Sequence, residues 1–203
     1  MKRLIAATLF TLPLFALAAS DDNLLVNGSF ESNVLYSGGW SQFGSIQGWT
    51  TGSNGIEIRN NAVGSAIDGS NFAELDTYGN SSISQSFATV AGYTYELSFS
   101  YVNRPDNQGA SSNGISWSLG SLSGIVGENT STSWATYTTT FTGTGEVMTL
   151  SFAAIGRSDS YGTSLDNVSV SVLSTVPEPH GYALMIAGLG TIGLLSRRRR
   201  RTV

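Results

Sequence analysis

Hydrophobic residues alternate with serine and threonine along most of the chain between positions 23 and 173. The alternation is clearest in the segments YTYELSFSY, GISWSLG, ATYTTTF, VMTLSFAA and NVSVSV, and it extends over shorter stretches in GIEIR and NFAEL. A period of two puts every second side chain on one face of a β-strand, so each segment is predicted to be a strand with one buried face. Turn signals such as Asp68-Gly69 and Asn113-Gly114 separate the segments.

The number of predicted strands determines the expected fold class. Eight or nine antiparallel strands in about 150 residues predict an all-β protein built as a two-sheet jelly-roll sandwich. The strand pattern does not by itself separate a jelly roll from an immunoglobulin-like topology, and that alternative stays open at this point. No run of ten or more residues in this body has helical spacing, and the polar segment 103–113 is predicted to be a surface loop.

The first part of the chain has the pattern of a secretory signal peptide. Lys2 and Arg3 provide the positive start, an apolar run follows, and Ala16-Leu17-Ala18 gives the small-x-small sequence that signal peptidase accepts. We therefore predict a signal helix at residues 1–20 that signal peptidase removes. The alternative is an uncleaved anchor helix, but the run is short and Pro13 would disturb a spanning helix.

Charge is distributed unevenly between the ends of the chain and its body. Residues 21–176 carry three arginines against thirteen acidic residues, a net charge of −10, whereas seven of the ten basic residues lie in the termini. A surface this acidic repels phosphate backbones, so no nucleic-acid partner is expected, and it suits calcium as a partner. Solubility outside the cell is the alternative reason for the acidity. The chain has no cysteine, which excludes disulfides and thiol catalysis.

The C-terminal segment combines a proline-containing turn, an apolar stretch and a run of basic residues. Residues 181–195 include no charged side chain, and a helix of that length spans about 22 Å against a bilayer core of about 30 Å. We predict a short transmembrane helix at residues 181–196. The basic residues that stop it on the cytoplasmic side are Arg197, Arg198, Arg199, Arg200 and Arg201. The turn before it consists of Val176, Pro177, Glu178 and Pro179.

In this order, the three parts resemble the PEP-CTERM sorting signal of exported bacterial proteins. The resemblance implies recognition by a membrane-embedded exosortase and cleavage near the Pro-Glu-Pro turn. It also implies transfer from a transient membrane anchor to the cell surface or extracellular matrix. The predicted organisation is a signal peptide at 1–20, a β-sandwich at 21–175 and a sorting signal at 176–203. A plain C-terminal anchor is the alternative for the last part.

A second resemblance covers nearly all of the body. The opening NLLVNGSFE, the hairpin SISQSFATVAGYTYELSFSY, the segment TSWATYTTTFTGTGEVMTLSFAA and the closing LDNV resemble the galactose-binding-like, carbohydrate-binding β-sandwich families. In these families the acid that ends the opening motif and the acid that begins the last strand often meet. The resemblance therefore implies a structural calcium site formed by Glu31, Asp166 and Asn27. The alternative is that Glu31 and Asp166 are ordinary turn and strand-edge acids.

The second resemblance also implies glycan binding, without specifying the glycan. Sugars stack on exposed aromatic rings and form hydrogen bonds with polar side chains, and arginines are scarce in this body. The predicted sugar contacts in loops are Tyr36, Trp40, Tyr78, Arg104 and Tyr161. Each of these aromatic residues has the alternative role of covering a sheet end. Trp117 is in phase with Ile115 and Leu119 and is predicted to lie in the core, and Trp49 and Trp134 are interpreted as packing residues.

Catalysis is not expected from this sequence. Its single histidine, His180, lies in the tail, which excludes a Ser-His-Asp arrangement in the body. A glycosidase would need two carboxylates across one bond, and the nearest candidates are Glu57, Glu74 and Asp76, of which the last two share a strand face. We therefore predict an exported, non-enzymatic glycan-binding β-sandwich, with polysaccharide of the biofilm matrix as its expected ligand. The alternatives are a structural or adhesive envelope protein without a discrete ligand and, further off, a glycoside hydrolase.

Overall fold

The computed structural model describes residues 23–106, 109–174 and 188–189 of the chain. The predicted signal peptide at 1–20, the turn at 176–179 and the arginines at 197–201 lie outside these residues, as does all but two residues of the transmembrane helix predicted at 181–196. Within the described ranges, no helix is long and apolar enough to cross a membrane.

The part of the chain that the structure describes forms eleven β-strands and one turn of 3₁₀ helix, η1 (Ala110–Ser112). The strands are β1 (Trp40–Phe43), β2 (Thr50–Thr51), β3 (Ile56–Asn60), β4 (Asn71–Glu74), β5 (Ser82–Ala88), β6 (Thr94–Asn103), β7 (Ile115–Leu119), β8 (Leu122–Val126), β9 (Ala135–Thr142), β10 (Val147–Ala154) and β11 (Thr163–Ser174). The sequence pattern does not predict β1, β2 or β8. The first two are four and two residues long, too short to show a period, and β8 carries Gly124 where a hydrophobic residue would mark it.

The strands pair antiparallel in two sheets. The six-stranded sheet has the order β1-β3-β4-β11-β6-β9, and the five-stranded sheet has the order β2-β5-β10-β7-β8. From β4 to β7 and again from β8 to β11, every connection carries the chain from one sheet to the other, which is the pattern of a jelly roll. The predicted all-β, two-sheet antiparallel sandwich is confirmed.

The core lies between the two sheets and is built around Phe99. The centroid of its ring lies 4.9 Å from that of Phe152, 5.2 Å from that of Tyr137 and 6.0 Å from that of Trp117. Trp117 is 4 % exposed, as its phase in β7 predicts. Burying a large apolar side chain contributes about 1.5–3 kcal/mol, so this interleaved aromatic set holds the sheets together without a disulfide.

The outer face of the six-stranded sheet is partly covered by the loop between β3 and β4, residues 61–70. Asn61 adopts a φ of 50°, in the left-handed region, at the point where the chain leaves β3. Asp166 on β11 accepts the amide N–H of Ile67 at 3.0 Å and that of Asp68 at 3.1 Å. These bonds tie the loop back over the sheet, so it encloses space there instead of extending into solvent.

Candidate functional site

A cavity of about 250 Å³ lies on the outer face of the six-stranded sheet, beside the 61–70 loop. Its floor consists of outward side chains from three neighbouring strands, Phe72 on β4, Ser164 on β11 and Val102 on β6. The other lining residues come from the loop, from the end of β6 and from the segment before β9: Val63, Gly64, Ser65, Asn103, Arg104, Pro105, Thr132 and Trp134. The cavity thus combines two aromatic rings, hydroxyl groups and one guanidinium, and no acidic side chain lines it.

Phe72 and Trp134 provide the aromatic part of the cavity. Their rings meet edge to face, with centroids 6.1 Å apart and planes at 88°. The indole Nε1–H of Trp134 donates to the carbonyl of Ser65 at 2.8 Å, which fixes the orientation of the ring. Phe72 is 1 % exposed whereas Trp134 is half-buried, so Trp134 is the ring that a ligand in the cavity would contact.

The sequence reasoning missed both aromatic residues as members of a site, although their strand phase carries the signal. Trp134 is two residues before Thr136, on the exposed side of β9, yet it was interpreted as a packing residue. Phe72 is in phase with Glu74, whereas Leu75 lies on the core side. When the alternation of inward and outward side chains is continued to residues 134 and 72, both rings fall on the outer face of the sheet.

Arg104 is held rigidly at the edge of the cavity. Its Nε and Nη2 donate to the two carboxylate oxygens of Asp106, each at 2.9 Å, and its Nη1 donates to the carbonyl of Ser160 at 2.9 Å. Its guanidinium carbon lies 4.7 Å from the centroid of the Tyr161 ring. The hydrogen bonds from Arg104 lower the pKa of Asp106. Two of the predicted sugar contacts, Arg104 and Tyr161, are thus brought together.

Of the five predicted sugar contacts, Arg104 lines the cavity, whereas Tyr161 and the other three do not. Tyr36 and Tyr78 are 76 % and 87 % exposed, in the segment before β1 and in the turn between β4 and β5. Trp40 is the first residue of β1 and not a loop residue; it lies opposite Arg59, which lies opposite Phe72. Trp40 therefore projects from the same face as the cavity floor. At about 4.8 Å between strands, its backbone is about 10 Å from that of Phe72.

A buried charge cluster, formed by Glu57, Arg59 and Glu74, lies beside the cavity on the same face. Arg59 is 1 % exposed; its Nε donates to Glu57 Oε1 at 2.6 Å, and its Nη2 pairs with Glu74 Oε2. The Nη1 of Arg104 lies 3.6 Å from the same Glu74 oxygen. The amide N–H of Gly162 donates to Glu74 Oε1 at 2.6 Å. The cluster therefore connects β3, β4 and the loop between β10 and β11.

The carboxylates considered for hydrolysis are all engaged in this structure. Burial raises the pKa of Glu74 to about 8, although Arg59 and Arg104 both lower it. Glu57 is paired with Arg59, and Asp76 accepts two backbone amides of the β10–β11 loop at 2.9 and 2.8 Å. None of these three carboxylates lines the cavity, so the described site offers no acid–base pair across a bound sugar.

The residues predicted to bind calcium lie where the opening segment runs beside β11, and their oxygens accept backbone amides. Glu31 Oε1 accepts two amides at the start of β4, at 2.8 and 2.6 Å. Asp166 accepts three backbone amides, and Asn27 Oδ1 accepts the amide of Ser32 at 3.0 Å. Among the described residues, no group of three or more acidic or histidine side chains is placed to hold a metal ion. Calcium at Glu31, Asp166 and Asn27 stays a prediction.

Burial makes Asp166 a source of pH-dependent stability. It raises the pKa of Asp166 from 3.8 to about 7, against the lowering by the amides that the carboxylate accepts. The stability that this carboxyl contributes is fully present below its unfolded pKa and is lost as pH rises through its folded pKa. At about 1.4 kcal/mol per pKa unit, the loss reaches at most about 4 kcal/mol.

We therefore expect the free energy of unfolding to fall between pH 4 and pH 8, and to fall less in Asp166→Asn. Urea denaturation at pH 4, 6 and 8 measures the free energy of unfolding of the wild type and of the variant. Comparing how steeply it falls with pH in the two proteins separates the contribution of Asp166 from that of Glu74, whose raised pKa acts in the same direction. A wild-type slope no steeper than that of the variant would show that Asp166 does not titrate in this way.

The fold is the β-sandwich of carbohydrate-binding modules. A family 61 carbohydrate-binding module, solved in complex with β-1,4-galactotriose, is 13 % identical to this chain with a TM-score of 0.55, over 75 % of this chain and 99 % of that module. A family 16 carbohydrate-binding module is 15 % identical with a TM-score of 0.48, over 73 % of this chain and 99 % of that module. At 13 % identity the likeness to the family 61 module concerns the fold alone, and it confirms the architecture that the second resemblance implies.

Two family models match consecutive parts of the chain. Residues 23–171 match the model described as protein of unknown function (DUF642), and the chain belongs to this family. Residues 175–201 match the PEP-CTERM protein-sorting motif, which confirms the first resemblance and implies export with C-terminal membrane anchoring before processing. No curated protein matches the chain.

Proposed function

We propose that this protein binds glycan, without enzymatic activity, in the cavity between Phe72, Trp134 and Arg104. The observation that carries the proposal is the pairing of an accessible indole with an immobilised guanidinium in one enclosed volume. A sugar ring presents C–H groups on its faces and hydroxyl groups at its rim. The indole suits the faces, and the guanidinium and the hydroxyl of Ser164 suit the rim.

The size of the cavity bears on the length of the ligand. Its volume of about 250 Å³ is smaller than the roughly 300–1,000 Å³ typical of sites for drug-sized ligands. One end or a short stretch of a glycan chain therefore occupies the cavity, and the rest lies over the open sheet. Trp40, on the same face and 55 % exposed, provides a second aromatic surface for such a chain. We infer an extended polysaccharide ligand and not a monosaccharide.

The charge of the body bears on the class of glycan. A net charge of −10 over residues 21–176 repels polyanions at moderate ionic strength. Arg104 does not offset this, because its two hydrogen bonds to the Asp106 carboxylate already neutralise it. The ligand is therefore a neutral polysaccharide. Retention on a neutral polysaccharide is expected to change little with salt, and a polysaccharide rich in uronic acid is expected to bind less well.

The two ends of the chain bear on where the protein works. The sorting motif at 175–201 supports removal of the C-terminal anchor by an exosortase, after signal peptidase has acted at the other end. We propose that the processed protein then binds polysaccharide at the cell surface or in the extracellular matrix. The intact mass of the protein recovered from envelope and medium tests both cleavages.

Retention of the purified protein on immobilised polysaccharides tests the binding function. The panel includes matrix polysaccharide of the producing cell, and β-1,4-galactan because a module of similar fold was solved with β-1,4-galactotriose. We expect retention on at least one neutral polysaccharide, with no release of reducing sugar. Failure to bind any of them would count against the function, and sugar release that disappears in Glu74→Gln would favour a hydrolase.

Adhesion without a discrete ligand is the second candidate function, and the outer face of the five-stranded sheet favours it. One hydroxyl side chain from each of its five strands lies in a single row: Thr50, Ser84, Ser151, Ser118 and Ser123. At about 4.8 Å between strands, the row is about 19 Å long. Under this alternative Ser151→Arg abolishes retention and Trp134→Ala leaves it unchanged; under the proposed function the reverse holds.

A further inference from the structure

We propose a cation site, suited to calcium, where the turn between β4 and β5 meets the loop between β10 and β11. Its carboxylate ligands are Asp76 and Asp159. The site is distinct from the predicted one at Glu31 and Asp166, which lies against the 61–70 loop. It is identified by buried oxygen atoms that have no donor.

Asp76 uses only one of its carboxylate oxygens in hydrogen bonds. Its Oδ2 accepts the amide N–H of Asp159 at 2.9 Å and that of Ser160 at 2.8 Å. Its Oδ1 is buried and has no hydrogen-bond partner, and the residue as a whole is 2 % exposed. Leaving a buried carboxylate oxygen without a donor is costly, so a cation beside it would stabilise this position.

Asp159 and Asn80, which are neighbours of Asp76, each have a buried side-chain oxygen that accepts no hydrogen bond. Asp159 Oδ2 accepts the hydroxyl of Ser112 at 2.8 Å, whereas its Oδ1 is buried and unpartnered. Asn80 forms a β-bridge with Asp76 and donates through Nδ2 to the carbonyl of Gly156 at 2.8 Å, which leaves its buried Oδ1 without a donor. None of the ion pairs among the described residues involves Asp76 or Asp159.

The chemistry of these three oxygens selects the ligand. Two are carboxylate oxygens and one is an amide oxygen, the donor types that calcium prefers in proteins. Calcium takes six to eight oxygens, so water and backbone carbonyls would complete the shell. A buried water molecule could donate to two of the acceptors, but it would leave both carboxylates without a compensating charge. Zinc is not suited, because neither histidine nor cysteine is present in the described residues.

The small number of charged ligands indicates weak binding. Calcium sites of extracellular modules have dissociation constants of about 10⁻⁴–10⁻³ M, a range that suits a protein exported to a calcium-containing medium. An ion at this position fixes the loop that carries Ser160 and Gly162, whose backbone groups bond to Arg104 and Glu74. Calcium is therefore expected to tighten glycan binding as well; this last step rests on the proposed function.

Thermal unfolding of the purified full-length protein, with calcium as the only added ligand, tests the site. We expect the Tm to rise by roughly 3–10 °C between EDTA and 10 mM calcium. The rise should be diminished in Asp159→Asn, and Asp166→Asn, the matched variant for the other predicted site, should still show a rise. A wild-type Tm that is the same in EDTA and calcium would overturn the proposal, and so would a rise that is undiminished in Asp159→Asn.

Equilibrium dialysis with calcium provides a second measurement that does not depend on how well a variant resists heat. The wild type is expected to bind one ion per chain more than Asp76→Asn does, compared at equal circular dichroism. Undiminished stoichiometry in Asp76→Asn would refute the assignment. If the calcium results hold while no polysaccharide retains the protein, the cation site stands and the glycan function fails.

Discussion

Trp134→Ala is expected to weaken retention on the neutral polysaccharide about 30-fold. Trp134 is the accessible aromatic ring of the cavity, held by its bond to Ser65 and by the edge of Phe72. A well-packed tryptophan at the centre of a binding site typically costs about 2 kcal/mol or more on truncation, and 1.4 kcal/mol corresponds to a factor of ten. Affinity electrophoresis or a quantitative pull-down measures the loss.

Two further variants make this result interpretable. Trp134→Phe keeps an aromatic ring but loses the indole N–H, so it should retain more binding than Trp134→Ala. Tyr78→Ala removes an aromatic ring that is 87 % exposed, on a turn away from the cavity, and should bind as the wild type does. The site would be misplaced if Tyr78→Ala lost retention while Trp134→Ala, with unchanged circular dichroism, kept it.

Arg59→Ala is expected to lower the free energy of unfolding by about 3–5 kcal/mol, because removing one partner of a buried ion pair leaves the other charge uncompensated. Arg59 bridges Glu57 and Glu74, and Glu74 is fully buried. Urea denaturation at pH 9, above the pKa of about 8 that burial gives Glu74, measures the change. The loss should shrink as the pH is lowered, since a protonated Glu74 no longer needs a cation beside it.

The matched control is Arg157→Ala, which removes an exposed arginine and is expected to change stability by no more than about 0.5 kcal/mol. Arg59→Ala combined with Glu74→Gln should lose less than the sum of the two single changes, because the buried charge is then absent. A loss below about 1 kcal/mol for Arg59→Ala alone would mean that the cluster is more accessible to water than its burial indicates.

Much of the fold can be predicted from the sequence, because the two-residue period of a strand can be recognised from adjacent residues. The alternation in YTYELSFSY places Leu97 and Phe99 in the core, and GISWSLG does the same for Trp117. The alternation does not predict a strand where the strand is too short or is interrupted, as in β2 and around Gly124 in β8. On the four-residue β4, Ala73 and not the larger Phe72 faces the core, so residue size does not reveal the phase there.

The site is harder to predict, because it depends on which strands become neighbours. Glu57, Glu74 and Ser164 lie side by side on β3, β4 and β11, although the last is far from the others in sequence. Scarcity of arginine in the body drew attention to Arg104, which lines the cavity, but it gave no reason to expect Arg59 to be buried. Only the register of the sheet brings Arg59 between two glutamates.

The most direct test of glycan binding at this cavity uses the four tryptophans of the chain, each of which gives one indole N–H signal in a two-dimensional NMR spectrum. Neutral oligosaccharides prepared from the retained polysaccharide are titrated into the purified protein. We predict that the Trp134 signal shifts with saturation, that Trp40 shifts with longer chains, and that the buried Trp49 and Trp117 stay in place. A spectrum in which Trp134 does not move while the protein is demonstrably bound would contradict the assignment of the cavity as the glycan site.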